Sequence, residues 1–452
     1  MYLATFTFTV AVLPVLLLCY YLIPAKGKTV FLLLCSLLIY GWGDPIRVLY
    51  PLACICFDYS VGQLLECWQG KRTLATVLLC FSAVLKVAAV TAVRAEASAG
   101  EILFPFGIAV YTLQGLGYLI GVYRGRHKAN GNFLNLALYI TLFPMLYAGP
   151  LLSYLEFDEQ LRKRQCNIIC LSDGLGLFIQ GLAEKVVLAD TFGYIFRELR
   201  QTTGEMSMLT AWLTTVSFTM YLYFELLGYS EMARGLGRAF GFDLPKNFNH
   251  PFFTSSITAF MQSWNITLLL WFQTNFRHFL FGKAEKKWQK YAAIILTWVL
   301  IGAWYGMRLQ FVVWGLVIGV LLTLDQLVFE PLLRRRYVFG MLYTAIVLQF
   351  VWVLFYVDNL AEVPGIWRAM LGFGKGITDQ YGFYFFTSYI ALLLLGVYIA
   401  TDLFRNISER ISNTAVGRAI EAWKPVGLAL MLIFSLASML YGERTPGLWL
   451  QL

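Results

Sequence analysis

A chain of 452 residues that is 59% hydrophobic and only 13% charged lies far from the composition of soluble domains, which average about 45–50% apolar and about 25% charged. Its mean hydropathy of +0.66 and the gathering of its apolar residues into runs argue against a soluble globular protein and require many membrane crossings, each about 20 residues long. The net charge of +9 fits basic cytoplasmic loops rather than nucleic-acid binding, because Lys71-Arg72, Arg124 to Lys128, Arg162 to Arg164, Lys283 to Lys290 and Arg334 to Arg336 all fall between apolar runs.

Taken in chain order, the runs predict spans near 2–23, 29–42, 47–67, 73–93, 103–122, 133–151, 170–190, 208–230, 291–306, 309–329, 338–357, 383–403 and 426–441. Backbone polar groups inside a bilayer must be satisfied within the segment, which selects helices. The expected fold is therefore all-α, a polytopic membrane protein of roughly 11–13 helices. No linker or internal repeat divides it, so residues 1–452 read as one transmembrane domain. The first run, Tyr2 to Leu22, has neither a basic leader nor a small-residue cleavage site and reads as a retained span. The eight cysteines all precede residue 171. Most sit inside apolar runs as small hydrophobes, without the paired spacing of a zinc site. Neither a metal nor a disulfide framework is expected.

One stretch departs from the pattern. From Gly241 to Lys290 the chain carries Pro245, Asn247, Asn249, His250 and Pro251, then an apolar run from Ile257 to Phe281 seeded with Gln262, Ser263, Asn265, Thr267, Gln273 and Asn275. Prolines interrupt helices and restrict their predecessors. Polar or irregular backbone at membrane depth is tolerated where protein or a wet cavity surrounds it. A re-entrant segment at 245–281 meets that condition, and an amphipathic interfacial helix fits the pattern equally well.

Ionisable residues inside spans are costly and mark candidate sites. Lys86 is expected to pair with Asp58 or Glu66. Glu184 and Lys185 are adjacent, face different directions on a helix and need separate partners. Glu225, flanked by aromatics, is equally compatible with a structural and a site-lining role. Of three histidines, His127 reads as a surface residue of a basic cluster, His250 precedes Pro251, and His278 follows Arg277. None stands at nucleophile–base spacing, and no zinc-protease helix, nucleophile elbow or phosphate loop occurs.

Further motifs occur in register. They begin with Pro105-Phe106-Gly107-Ile108-Ala109, Tyr111-Thr112-Leu113-Gln114 and Gly117-Tyr118-Leu119-Ile120-Gly121-Val122-Tyr123-Arg124. Phe143-Pro144 with Ala148-Gly149-Pro150 follows, then the run from Gly181 to Asp190. Gly228-Tyr229-Ser230-Glu231-Met232-Ala233-Arg234-Gly235, the run from Leu244 to Phe252, and Val313-Trp314-Gly315 complete the series. This order resembles the membrane-bound O-acyltransferases, in the bacterial branch of alginate O-acetyltransferase and the teichoic acid D-alanyl transfer protein. The resemblance covers 105–315, which would form the core containing the re-entrant segment. It implies a multi-pass protein of the bacterial plasma membrane, its tunnel and site lined by Gln114, Tyr118, Glu225, Tyr229, Ser230, Glu231, Asn247, Asn249, Trp264, Thr267 and Trp304. No cofactor would be resident. The acyl donor implied is acetyl-CoA or the phosphopantetheine arm of an acyl carrier protein. The partners implied, besides the lipid bilayer, are a membrane-anchored hydrolase-like acyltransferase, an acyl carrier protein or a polysaccharide synthase.

The departures from the family pattern gather at the chemistry. Where the family carries Trp-His-Ile, this chain has Trp264-Asn265-Ile266, and where the family carries Trp-His-Gly it has Trp304-Tyr305-Gly306. Gln273-Thr274 replaces an Arg-Asp pair, and Glu225-Leu226-Leu227 replaces Asp-Phe-Ser. More distant eukaryotic relatives also use asparagine at the first position, so Tyr305 is the decisive change. Imidazole titrates near about 6.5 and phenol near about 10, and losing a positioned base typically costs about 10²–10⁴-fold. Three readings follow. The chain is a degenerate family member acting as an accessory subunit of cell-envelope polysaccharide or teichoic acid acylation. Alternatively, it is an active O-acyltransferase in which Tyr305 donates to the thioester carbonyl, Asn265 orients the acceptor, and Glu225 or Glu231 is the base. A transporter is the third reading, disfavoured by the missing repeat.

Overall fold

The computed structural model describes residues 3–98, 107–129, 131–147, 149–201, 205–277, 286–306, 308–329, 332, 336–401 and 414–441. All thirteen apolar runs are represented by helices, and no strand occurs among the described residues. Among the described residues, six helical stretches are long and apolar enough to cross a membrane: Pro45–Cys67, Arg72–Ala95, Leu309–Phe329, Tyr337–Tyr356, Gln380–Ile399 and Val416–Leu440. The chain forms two compact units, one of Met1–Leu182 with Tyr229–Lys246, the other of Ala183–Gly228 with Asn247–Leu452.

The first unit contains α1 (Leu13–Leu22), α2 (Lys28–Tyr40), α3 (Leu49–Cys67), α4 (Arg72–Ser98), α5 (Ile108–Tyr123), α6 (Phe133–Thr141), α7 (Tyr154–Lys163) and α8 (Ile168–Ala183). The run expected as one span at 133–151 breaks after Thr141 into a tight turn over Phe143–Tyr147. Pro144 lacks the N–H that a continuing helix needs. α7, which hydropathy missed, starts on a reciprocal cap: Ser153 Oγ accepts from the Glu156 N–H (3.3 Å) and Ser153 N–H donates to Glu156 Oε2 (3.2 Å). Lys86 pairs with Asp58 at 2.9 Å, with both side chains buried, whereas Glu66 accepts the Ala129 N–H at 2.8 Å. Gly115 of α5 makes room for that pair, since a Cβ there would meet the Asp58 carboxylate. His127 is half-buried rather than on the surface. Its ring stacks on Tyr118 (5.4 Å between centroids) and lies 4.9 Å from that of Tyr154. Burial holds its imidazole below the usual histidine range.

A 32-residue helix, α10 (Met208–Ala239), runs well past the predicted end at 230. Its last turns belong to the first unit, where Gly235 faces Gly174 of α8 so closely that a Cβ on either would meet backbone.

The second unit holds α9 (Asp190–Arg200), the first part of α10, α11 (Ile257–Ser263), α12 (Ile266–Phe272), α13 (Lys287–Tyr305), α14 (Leu309–Leu324), α15 (Tyr337–Tyr356), α16 (Val363–Met370), α17 (Gln380–Ile399) and α18 (Ala415–Tyr441). α17 is anchored by Asp379, which accepts from the Gly382 N–H (2.6 Å) and from Thr210 Oγ1 of α10 (2.6 Å). α18 begins about eleven residues before its predicted start and includes Pro425. α13 and α14 form a tight hairpin because three glycines line their contact. A Cβ on Gly302 would strike the Phe311 carbonyl, one on Gly315 the Trp298 backbone, and one on Gly319 the Ile295 backbone. Gly315→Val is therefore expected to wedge the hairpin apart, costing about 3 kcal/mol or more and lowering the thermal midpoint of the detergent-solubilised protein. Gly427→Ala on α18, where nothing lies within 4 Å, serves as the control and is expected to be neutral or stabilising.

Candidate functional site

Residues 245–277 do not form one amphipathic helix. They fold as a loop followed by two seven-residue helices, α11 and α12, separated by Trp264 in extended conformation and Asn265 in the left-handed region (φ 45°, ψ 54°). Of the expected segment, 278–281 and His278 lie outside the described residues. Left-handed backbone is disfavoured for most side chains, with Asn, Asp and His several-fold enriched among the exceptions. Asparagine thus meets the backbone requirement that a histidine at this position would also meet.

The loop clamps this break. The Asn247 carbonyl accepts from the Ile266 N–H (2.8 Å), and the Asn249 N–H donates to the Ser263 carbonyl (3.0 Å). Asn247 Oδ1 accepts from the Thr267 N–H (3.3 Å) and hydroxyl (2.5 Å). Three of the residues singled out in the sequence (Asn247, Asn249 and Thr267) therefore act by holding Asn265 in place.

The side chain at the break reaches forty positions along the chain. Asn265 Nδ2 donates to Tyr305 Oη at 3.0 Å. The two positions where the sequence departs most sharply from its expected chemistry are in direct contact. Tyr305 ends α13 and is 5% exposed, while the neighbouring Trp304 is half-buried. Aromatic rings surround the pair. The Trp264 ring lies parallel to that of Phe260 (5.5 Å, 18°) and close to those of Trp352 (5.3 Å), Phe248 (5.3 Å) and Tyr223 (5.8 Å). Tyr305 meets Trp314 (5.8 Å) and Phe355 (5.5 Å) edge-on. The indole N–H groups of Trp314 and Trp352 are buried and have no acceptor among the described residues. Trp352 and Phe355 escaped the sequence reading, because in an apolar run they look like any other helix face.

Both carboxylates considered as bases are engaged elsewhere. Glu225 is fully buried and pairs with Lys185 at 2.9 Å; Lys185 also contacts Asp190. Lys185 lies in a π-helical stretch, Glu184–Ala189, between α8 and α9. In the first unit, Glu231 is held by Arg234 at 2.5 Å, and Arg234 also donates to the Leu244 carbonyl (3.3 Å). The other residues expected to line the tunnel also lie in that unit. Gln114 is buried with its Nε2 3.7 Å from Met145 Sδ, Tyr118 packs between His127 and Tyr154, and Tyr229 stacks on Tyr147 (6.1 Å). Ser230 is buried, and its hydroxyl has no partner among the described residues. No group of three metal-ligating side chains occurs among the described residues, and the eight cysteines are free.

These features define a multi-pass helical membrane protein whose broken helix carries a partly buried polar pair. The family model for membrane-bound O-acyltransferases matches residues 96–359. The chain is 32% identical over 392 residues to the "Probable alginate O-acetylase AlgI" of Azotobacter vinelandii, covering 80% of this chain and 76% of that one. It is 31% identical over 386 residues to the protein of the same name from Pseudomonas aeruginosa, covering 80% and 73%. The "Peptidoglycan O-acetyltransferase" of Helicobacter pylori is 28% identical over 305 residues, covering 60% and 58%. The chain belongs to the membrane-bound O-acyltransferase family.

Proposed function

We propose that this protein is a catalytically silent family member that serves as an accessory subunit in O-acylation of a bacterial cell-envelope polysaccharide at the inner membrane. One observation carries the reading: the amide of Asn265 and the phenol of Tyr305 hydrogen-bond to each other. The rings packed on Tyr305 belong to Trp314 and Phe355. None of these groups accepts a proton readily near neutral pH. The ion pairs of Glu225 and Glu231 argue against either as a substitute base. The core at 105–315 would keep the family's tunnel, while an acyl thioester would be consumed by a histidine-bearing partner. The names of the relatives favour a polysaccharide acceptor over a teichoic acid.

The test is genetic and chemical. Deleting the gene is expected to lower the O-acetyl content of the cell's surface polysaccharide, and a Tyr305→Phe allele is expected to restore it fully. The purified protein is expected to release no thiol from acetyl-CoA above background. A Tyr305→Phe allele that fails to complement, together with wild-type turnover abolished by the same change, would overturn the reading in favour of an active enzyme using the phenol.

A further inference from the structure

A small, open cleft lies beside the broken helix, between α11–α12 and the α13–α14 hairpin. Its polar lining is Thr258, Gln262, Gln273, Thr297 and Gln326, joined by Trp298 and four aliphatic or methionine side chains. Gln326 and the cleft residue Leu322 lie within a stretch long and apolar enough to cross the membrane. Gln273 and Gln326 are half-buried and Gln262 is exposed; a carboxamide on a membrane-spanning stretch, such as that of Gln326, is costly without hydrogen-bond partners. Yet none of the three glutamine side chains bonds to a described residue.

The chemistry of the lining narrows what fits. No charged side chain lines the cleft itself; the nearest carboxylate, Asp325, lies behind Thr258 and accepts from its N–H and hydroxyl. Thr258 commits its hydroxyl proton to Asp325 Oδ2 (2.7 Å), and Thr297 commits its own to the Ala293 carbonyl (2.7 Å). Both hydroxyl oxygens therefore remain as acceptors only. The three carboxamides add donors and acceptors together. That surplus of acceptors suits a group rich in O–H donors, and Trp298 with its apolar neighbours suits the C–H face of a ring. We propose that this cleft is a second ligand site, distinct from the Asn265–Tyr305 pair, that binds an uncharged polyhydroxyl group. Two sources offer that chemistry: the sugar headgroup of a membrane lipid and a soluble oligosaccharide. The proposal holds whether or not the Asn265–Tyr305 pair catalyses anything.

The experiment uses the full chain extracted in an amine-oxide detergent, since maltoside detergents carry the ligand chemistry, and reconstituted in phosphatidylcholine nanodiscs. Thermal midpoints are measured with a monoglucosyl diacylglycerol in the bilayer, with maltotriose in solution, and with neither. The midpoint is expected to rise with one or both probes, which names the source. In Gln262→Leu/Gln273→Leu the apparent affinity is expected to fall by about ten-fold or more, with the unliganded midpoint unchanged or raised. Gln326→Met reaches the same cleft from the α14 side and is expected to weaken binding should the double variant fold poorly. No rise with either probe, or a rise that the variants retain, would overturn the proposal. Binding is read with no acyl donor present, so its failure is distinguishable from failure of the reading of the Asn265–Tyr305 pair.

Discussion

If the protein is silent as proposed, Tyr305→His is expected to raise thiol release from an acyl thioester on the order of 10²–10⁴-fold above the wild-type background, the span a positioned base contributes. In the wild type the phenol extends far enough to accept from Asn265 Nδ2 at 3.0 Å. An imidazole on the same Cα is shorter. It would withdraw its polar atom from the asparagine and leave room between the two for an acceptor hydroxyl. Its pKa near about 6.5 makes it half-ready to take that hydroxyl's proton at neutral pH, as a phenol near about 10 is not. The surroundings are already in place. Asn265 keeps its left-handed backbone, clamped by Asn247 and Asn249, and the rings of Trp314 and Phe355 stand against residue 305. The measurement is thiol release from acetyl-CoA by purified Tyr305→His, with Asn265→Ala in the same background as a control that should abolish the gain. If Tyr305→His folds and stays at background, this expectation fails, and Gln273-Thr274 is the next position to change.

Lys185→Met should be the most damaging single change to stability. The ammonium is 4% exposed and bridges Glu225, 0% exposed, and Asp190, 26% exposed. Removing it leaves one carboxylate fully buried and without its cation, a loss of about 3–5 kcal/mol in comparable pairs. The damage is expected to reach the site. Two residues before Glu225 on α10, Tyr223 packs against Trp264, Phe248 and Phe252, so loosening the tie between α10 and the π-helical stretch loosens the floor beneath the broken helix. Thermal unfolding in detergent measures the effect. Lys185→Met/Glu225→Gln is expected to recover a large part of the lost stability, because the second change removes the orphaned charge. Strictly additive losses would show that the two side chains are not energetically coupled.

How far the chain could be read in advance follows from the range of the forces involved. Hydropathy marked every long helix, because lipid or protein around a span demands apolar side chains at each position. It did less well where local chemistry outweighs hydropathy. The break after Thr141 turned on one proline, α7 on a four-residue cap, and the extension of α10 to Ala239 on packing of its glycines against α8. Motif order indicated the family, and the matched stretch at 96–359 agrees with it.

Composition and short-range pattern were enough to establish a membrane-embedded helical chain and its family, and to single out Asn265 and Tyr305 as candidate positions. Each of those features is written within a turn or two of helix. Which partner each polar side chain found was a matter for the tertiary structure: Asn265 with Tyr305, Lys185 with Glu225, Lys86 with Asp58 rather than Glu66, His127 between two tyrosines instead of in water. A buried polar group must be satisfied somewhere, but that rule names no partner. The choice is made by helix packing that brings together residues tens of positions apart, as the three glycines of the α13–α14 hairpin do.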